Sequence, residues 1–294
     1  FEIVNQLNAA QRLITDEAER LELAELNQEA GRRAKNGAAY ASALKYLAAA
    51  RELLPENGWS DHYDLTFSIN RDLAWCRFYA GETDGIEDLF ATLLSRAQSL
   101  DDEIRVHLIR MEYYHLQGAY AEAIEIQKKA LRLLGLEIDD REVSALVSTE
   151  LENVPKLLGE RAIESLADSP LMDSPRHRLI MDILMGMWTS AYLDSQLELV
   201  VWSSCKMTNI SLEHGASHLT SYGFMNYAFV CDAMLGQYET GRRFGETSIK
   251  LAEKFDDLLM RGKVYLLHAV FVNHWRAPLI TTREYSRKSF PLLV

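Results

Sequence analysis

The chain has 294 residues, with 31 Lys plus Arg against 43 Asp plus Glu, a formal net charge of −12 and a pI near 5.2. Phosphate backbones are bound by clustered Lys and Arg that release counterions, so this balance argues against nonspecific nucleic-acid binding. With 48% hydrophobic residues, 6 Pro and 15 Gly, the composition is that of a chain able to bury a core rather than of a disordered one.

The chain opens on Phe1 rather than Met and closes on Phe290-Pro291-Leu292-Leu293-Val294 within a helical pattern; it reads as a segment of a longer protein. No charged region followed by an apolar run opens it. No apolar stretch reaches the roughly 18 residues of a membrane-spanning helix, the longest candidate, Val264 to Val272, being interrupted by His268. Membrane partners are therefore not expected. Cys76, Cys205 and Cys231 lie far apart, a spacing that gives neither a disulfide framework nor a CxxC site. A reducing, cytoplasmic setting is expected, with three thiols that pack.

Taken in chain order, the predicted elements are helices that repeat. Ala30 and Gly31 supply the small positions of a first helix, and Tyr40, Ala43, Leu47 and Ala50, followed by Pro55, form its partner. Leu73, Ala74, Gly81, Phe90 and Leu93 make a weaker copy, in which Thr83 and Ile86 replace the expected aromatic and alanine. Met111, Tyr114, Gly118, Tyr120, Ala123, Ala130 and Leu131 match well again. A fourth, degenerate copy runs from Gly236 and Tyr238 to Ser248 and Leu251, with Gly241 in place of the alanine. The turns at Ala38, Gly81 and Gly118 are 43 and 37 residues apart, against about 34 for a tetratricopeptide repeat. Small residues let paired helices approach while large residues at i, i+3 and i+7 fill the space between hairpins.

Between the third and fourth copies, Asp139 to Asp173 is less regular, with Pro155, Gly159 and Pro170 expected to divide it into short helices. Ser174-Pro175 places an N-cap and a first-turn proline for a helix to about Tyr192, and His214-Gly215 stops another begun near Ser195. No stretch alternates with period two. The expected fold is all-α, a tetratricopeptide-like solenoid of helical hairpins. Residues 1–138 form an N-terminal set, 139–173 an irregular short-helix connector, and 174–294 a C-terminal set truncated at its end.

Catalytic patterns are missing: there is no GxxxxGK[ST], GxGxxG, HExxH, GxSxG, HRD or DFG. No enzymatic role and no cofactor are expected of this segment. His214 and His218 are four apart, but Gly215 ends the helix between them, so no metal site is expected. Asp61-His62-Tyr63-Asp64 suits the start of a helix, and His268 suits a core.

The partner-binding face of such an array is lined by positions 2, 5, 9 and 12 of each first helix, which share one side. Aligned on Gly31, these are Glu25, Gln28, Arg32 and Lys35; aligned on Gly81, Ser68, Arg71, Trp75 and Phe78; aligned on Gly118, Arg105, Leu108, Glu112 and His115. Arg32, Lys35, Arg71 and Arg105 would hold an acidic peptide, with Trp75 and Phe78 as apolar anchors and Glu112 and His115 beside them.

Phe1-Glu-Ile-Val-Asn-Gln-Leu-Asn8, Leu26-Asn27 through Lys35, Ala39-Tyr40-Ala-Ser-Ala43-Leu44, Ile163-Glu-Ser-Leu166, Ser211-Leu-Glu-His-Gly215 and His274-Trp275-Arg276 resemble the helical region of large multidomain signalling proteins. In that family a Ser/Thr kinase-like domain, a predicted AAA-type or STAND ATPase, a tetratricopeptide-like region, a GAF domain and often a histidine kinase follow one another. The resemblance covers most of the chain. It implies a noncatalytic regulatory scaffold just after the ATPase, whose partners are proteins, peptides or neighbouring domains, and it places the nucleotide and phospho-acceptor sites outside this segment. Chaperone-tail clamps of tetratricopeptide domains use Lys and Asn where this chain has Gln28, Arg32, Asp72, Arg105 and Ile109, a departure from that pattern. The alternative is a small-molecule sensor, with a pocket expected near Trp188, Trp202 and Tyr222.

Overall fold

The computed structural model describes residues 1–293 and is built from helices joined by short turns. In chain order these are α1 (Glu2–Ala9), a 3-10 turn (Gln11–Leu13), α2 (Glu17–Asn36), α3 (Tyr40–Leu53), α4 (Gly58–Asp61), α5 (Tyr63–Tyr79), α6 (Ile86–Arg96) and α7 (Leu100–Leu116). There follow α8 (Tyr120–Leu133), α9 (Val143–Leu158), a 3-10 segment (Ile163–Asp168), α10 (Pro175–Leu193), α11 (Leu197–His214), α12 (Thr220–Ala233) and α13 (Tyr238–Lys254). The described chain ends in α14 (Leu258–Leu267), a π-helical stretch (His268–Val272), two 3-10 turns (Asn273–Trp275 and Leu279–Thr281) and α15 (Thr282–Leu293). Extended pairing among the described residues amounts to one isolated parallel bridge, Leu171 with Ala216. Among the described residues no helix is long and apolar enough to cross a membrane.

Helix starts follow the sequence. The Asp16 side chain accepts a hydrogen bond from the Glu19 amide at 3.1 Å to cap α2, and acidic Glu17 and Glu19 with basic Arg33 and Lys35 complement its dipole. Ser174 caps α10 ahead of Pro175, while Gly215, at φ +95°, ends α11 directly after His214. Pro155 does not break the chain: it lies in the last turn of α9, where its missing N–H costs a single ladder bond and the helix runs on to Leu158.

Five helix pairs turn in the same way. Ala38, Gly81, Gly118, Ser195 and Gly236 all have positive φ, between 54° and 79°, and each lies just past the end of a first helix. In four of these turns an amide bonds back to the carbonyl five residues earlier: Ala39 to Ala34, Glu82 to Arg77, Ala119 to Tyr114 and Gln196 to Ala191, at 2.8–2.9 Å. A left-handed residue there lets the chain reverse while pairing the carbonyls a helix end leaves open.

The contacts divide the chain into two compact units, Phe1–Tyr113 and the residues from Tyr114 onward. In the first, α2 packs on α3, α3 on α5 and α5 on α6. A Cβ on Gly31 would lie 2.7 Å from the Leu47 side chain, so α2 and α3 meet too closely for a larger residue. Leu47, Ala74, Phe90 and Leu93 share one cluster, and Leu23, Ala24, Ala50, Leu53 and Ile69 another. Each fully buried Leu contributes roughly 1.5–3 kcal/mol.

In the second unit α8 packs on α10, α10 on α11, α11 on α12 and α12 on α13. In its interior Phe244 lies edge-on to Phe224 at 5.3 Å and to Tyr227 at 5.0 Å. Outside this stack, α9 lies along α11, with the buried Glu150 accepting from Lys206 at 2.8 Å and Asn209 at 2.7 Å. The 163–168 segment lies on α13 through the Arg243–Glu164 pair at 2.6 Å. Cys76, Cys205 and Cys231 are free and buried, and burial pushes the Cys76 thiol up to about 11.

Candidate functional site

The face shared by α2 and α5 gathers three cations around one carboxylate. The two helices run in step: Gln28 donates to the Ser68 hydroxyl at 2.6 Å and Arg32 Nε to Asp72 at 2.9 Å, both pairs 40 residues apart. Equal offsets one helical turn apart show that side chains along α2 meet side chains along α5 in fixed register.

Asp72 is the centre of this face. Its side chain is 4% exposed and is met by Arg32 Nε at 2.9 Å, Lys35 Nζ at 3.1 Å and Arg71 Nη2 at 3.5 Å. Burial alone would raise its carboxyl; Lys35, Arg32 and Arg71 outweigh that and hold it below the ordinary carboxylate value. The cations themselves remain partly open, their side chains 40% (Arg32), 25% (Lys35) and 24% (Arg71) exposed. The Lys35 ammonium also lies 5.5 Å from the centre of the half-buried Trp75 ring, a cation–π contact. Trp75 in turn sits 5.4 Å from Tyr79, which stacks on Tyr40 at 4.8 Å.

Arg32, Lys35, Arg71 and Trp75, picked from their helical positions, therefore converge. Phe78 does not join them as a surface anchor: it is 6% exposed and packs in the core with Tyr113 at 5.9 Å. The reason is rotational, since a position at the border of a helix face can fall to either side. Arg105 pairs with Asp101 on its own helix at 2.5 Å, away from Asp72's partners. Glu112 accepts the Tyr79 hydroxyl at 2.8 Å. His115 belongs to the second unit, 3.3 Å from the Ser190 hydroxyl and 5.4 Å from the Tyr120 ring.

The organising residue, Asp72, lies outside the 2, 5, 9 and 12 positions and is noted in the sequence only as a departure from the chaperone-clamp pattern. The available signal is its spacing, 40 residues after Arg32 as Ser68 is after Gln28. Trp188, Trp202 and Tyr222, near which a pocket was expected, are 3%, 1% and 4% exposed and pack in the interior of the second unit. The His214 ring stacks on His177 at 3.7 Å. A cleft of about 360 Å³ in the first unit is lined by Arg51, Pro55, Trp59, Asn70, Arg77 and Asp88, among others.

No protein-family model matches the chain. Across 99% of its length it is 25% identical to hybrid signal transduction histidine kinase G of Dictyostelium discoideum. The chain spans about 9% of the length of that relative. It is thus an all-helical chain similar to one stretch of a much longer signal-transduction histidine kinase.

Proposed function

We propose that this chain is a noncatalytic interaction and regulatory scaffold, a tetratricopeptide-like array of helical hairpins within a multidomain signalling protein. The repeated left-handed turns and the in-step first helices support the repeat reading. Similarity to part of a histidine kinase supports the signalling setting, and the kinase and ATPase activities that the resemblance implies belong to other parts of such a protein. The observation that carries the binding role is the cation cluster on Asp72 beside Trp75. It offers charge-assisted donors and an apolar neighbour on one face of an acidic chain. The occupant is an acidic peptide or an adjacent domain of the same polypeptide.

The test is capture with the wild-type chain as bait, beside an Arg32→Glu, Arg71→Glu double variant and an Arg105→Glu comparator. A partner lost by the double variant and kept by the comparator supports the face. Full retention by the double variant removes it. A small-molecule sensor is the second reading, favoured by the Trp59–Asn70 cleft; it predicts a ligand-dependent rise in melting temperature that Asn70→Leu abolishes.

A further inference from the structure

We infer that Arg32, Lys35 and Arg71 form a seat for a phosphomonoester dianion, held ready by Asp72. This deepens the proposed interaction role and rests on it. Three cations surround one ionised carboxylate, leaving a local excess of two positive charges in a chain of net charge −12. A phosphomonoester carries about −1.5 to −2 at neutral pH and three acceptor oxygens, which matches that excess. A single carboxylate or sulfate ester neutralises only half of it.

The donors also fit. Arg32 reaches Asp72 through Nε, which leaves its two terminal nitrogens as a fork for a second anion, the geometry that suits phosphate. Arg71 uses one terminal nitrogen in a long contact of 3.5 Å, and Lys35 one of its three N–H bonds. Asp72 itself is nearly sealed from water, so an incoming anion meets cations whose positions are already fixed. That reduces the ordering cost of binding. The partly open indole of Trp75, next to Lys35, gives the seat an apolar wall on which an aromatic or aliphatic stem can lie. Asp72 acts here as a positioning residue.

The experiment titrates the full 294-residue chain by calorimetry with three peptides of one sequence, carrying phosphotyrosine, sulfotyrosine or tyrosine. Phenyl phosphate and inorganic phosphate are run beside them. Phosphate and sulfate esters share shape and differ in charge, so the phosphopeptide is expected to bind about tenfold more tightly than its sulfated twin at pH 7.5. That margin should close at pH 5, where the phosphate is a monoanion. Arg32→Gln should weaken the phosphopeptide about fivefold or more, Arg32→Lys less, and Arg105→Gln not at all. Melting curves of each variant verify folding, and Arg32→Lys keeps the test open if Arg32→Gln unfolds.

A phosphopeptide much tighter than phenyl phosphate assigns the seat to a modified side chain; equal affinities assign it to small monoesters. Equal binding of phosphate and sulfate twins, or binding indifferent to Arg32, overturns the seat. That result leaves the capture test standing, since a partner can still depend on the same face through its carboxylates. Loss of the capture result with the phosphate preference intact fails the scaffold reading alone.

Discussion

Asp72 shows what a buried carboxylate does when it is over-supplied with cations. Its ionised form is favoured in the fold, so the stabilisation it gives is fully present above the ordinary carboxylate value of 3.8 and is lost as pH falls through its lower folded value. Asp72→Asn should therefore cost about 1–3 kcal/mol at pH 7, because three cations lose their common counter-charge. The deficit relative to wild type should shrink below pH 3.8, as followed by urea unfolding at several pH values. A deficit that does not change with pH would mean the loss is one of packing. A second residue-scale prediction concerns the hairpin turns. A Cβ placed on Gly118 would meet no atom within 4 Å, yet its φ is +72°. Gly118→Ala should thus cost about 1 kcal/mol through backbone conformation alone. Ala38 and Ser195 occupy the same conformation with side chains, so Ala38→Gly should be neutral to stabilising by about 0.5 kcal/mol, the relief of the left-handed residue exceeding glycine's entropy. Equilibrium denaturation reads both signs.

Among the elements, the close hairpin α2–α3 makes the sharpest demand on residue size. Ala43 is completely buried where Gly31 of α2 approaches Leu47 of α3. Ala43→Leu should cost about 1–3 kcal/mol by overpacking, visible as a lower Tm; an unchanged Tm would show slack at this crossing. These positions were legible from sequence because small residues at helix crossings leave a local mark. So were the ends of α10 and α11, where Ser174-Pro175 and His214-Gly215 act through bonds within a few residues. The parts that sequence did not convey depend on distant partners. Phe78 turned inward because Tyr113 and its own neighbours close over it, and Asp72 acquired its role from Arg32 and Lys35 on another helix. The π-helical stretch from His268 to Val272 carries no spacing signal either. It places the His268 ring 4.2 Å from Tyr285, and burial, with Arg276 adding to it, pushes the imidazole down to about 4. Above 6.5, the ordinary value, His268 is neutral in both states. Between 6.5 and about 4 the unfolded chain takes up a proton that the fold refuses, so stability falls as pH falls. His268→Gln should flatten that segment of the stability–pH curve.

For the whole molecule, the unequal finish of the helices implies unequal local stability. In the second unit α11 and α12 are buried along most of their length. The final hairpin is instead divided by π and 3-10 segments and exposes Leu258, Leu259, Val270, Leu279, Ile280 and Phe290. A hairpin so divided and so exposed has fewer buried contacts to hold it closed, so amide exchange should be faster over residues 258–293 than within α11 and α12. Uniform exchange across these helices would mean that the second unit opens as one cooperative body.

The in-step pairing of α2 with α5 has a consequence for how such chains can vary. Gln28 with Ser68 and Arg32 with Asp72 keep the same 40-residue interval, and the interval includes the 54–62 connection. Because the pairs are held by helix faces and not by that connection, its length can drift while the chemistry above it stays aligned. A pairing interval that changes from one homologous chain to another would then be a record of loop history, whereas a one-residue insertion between Gln28 and Arg32, or between Ser68 and Asp72, would turn Asp72 and the α2 cations out of register at once.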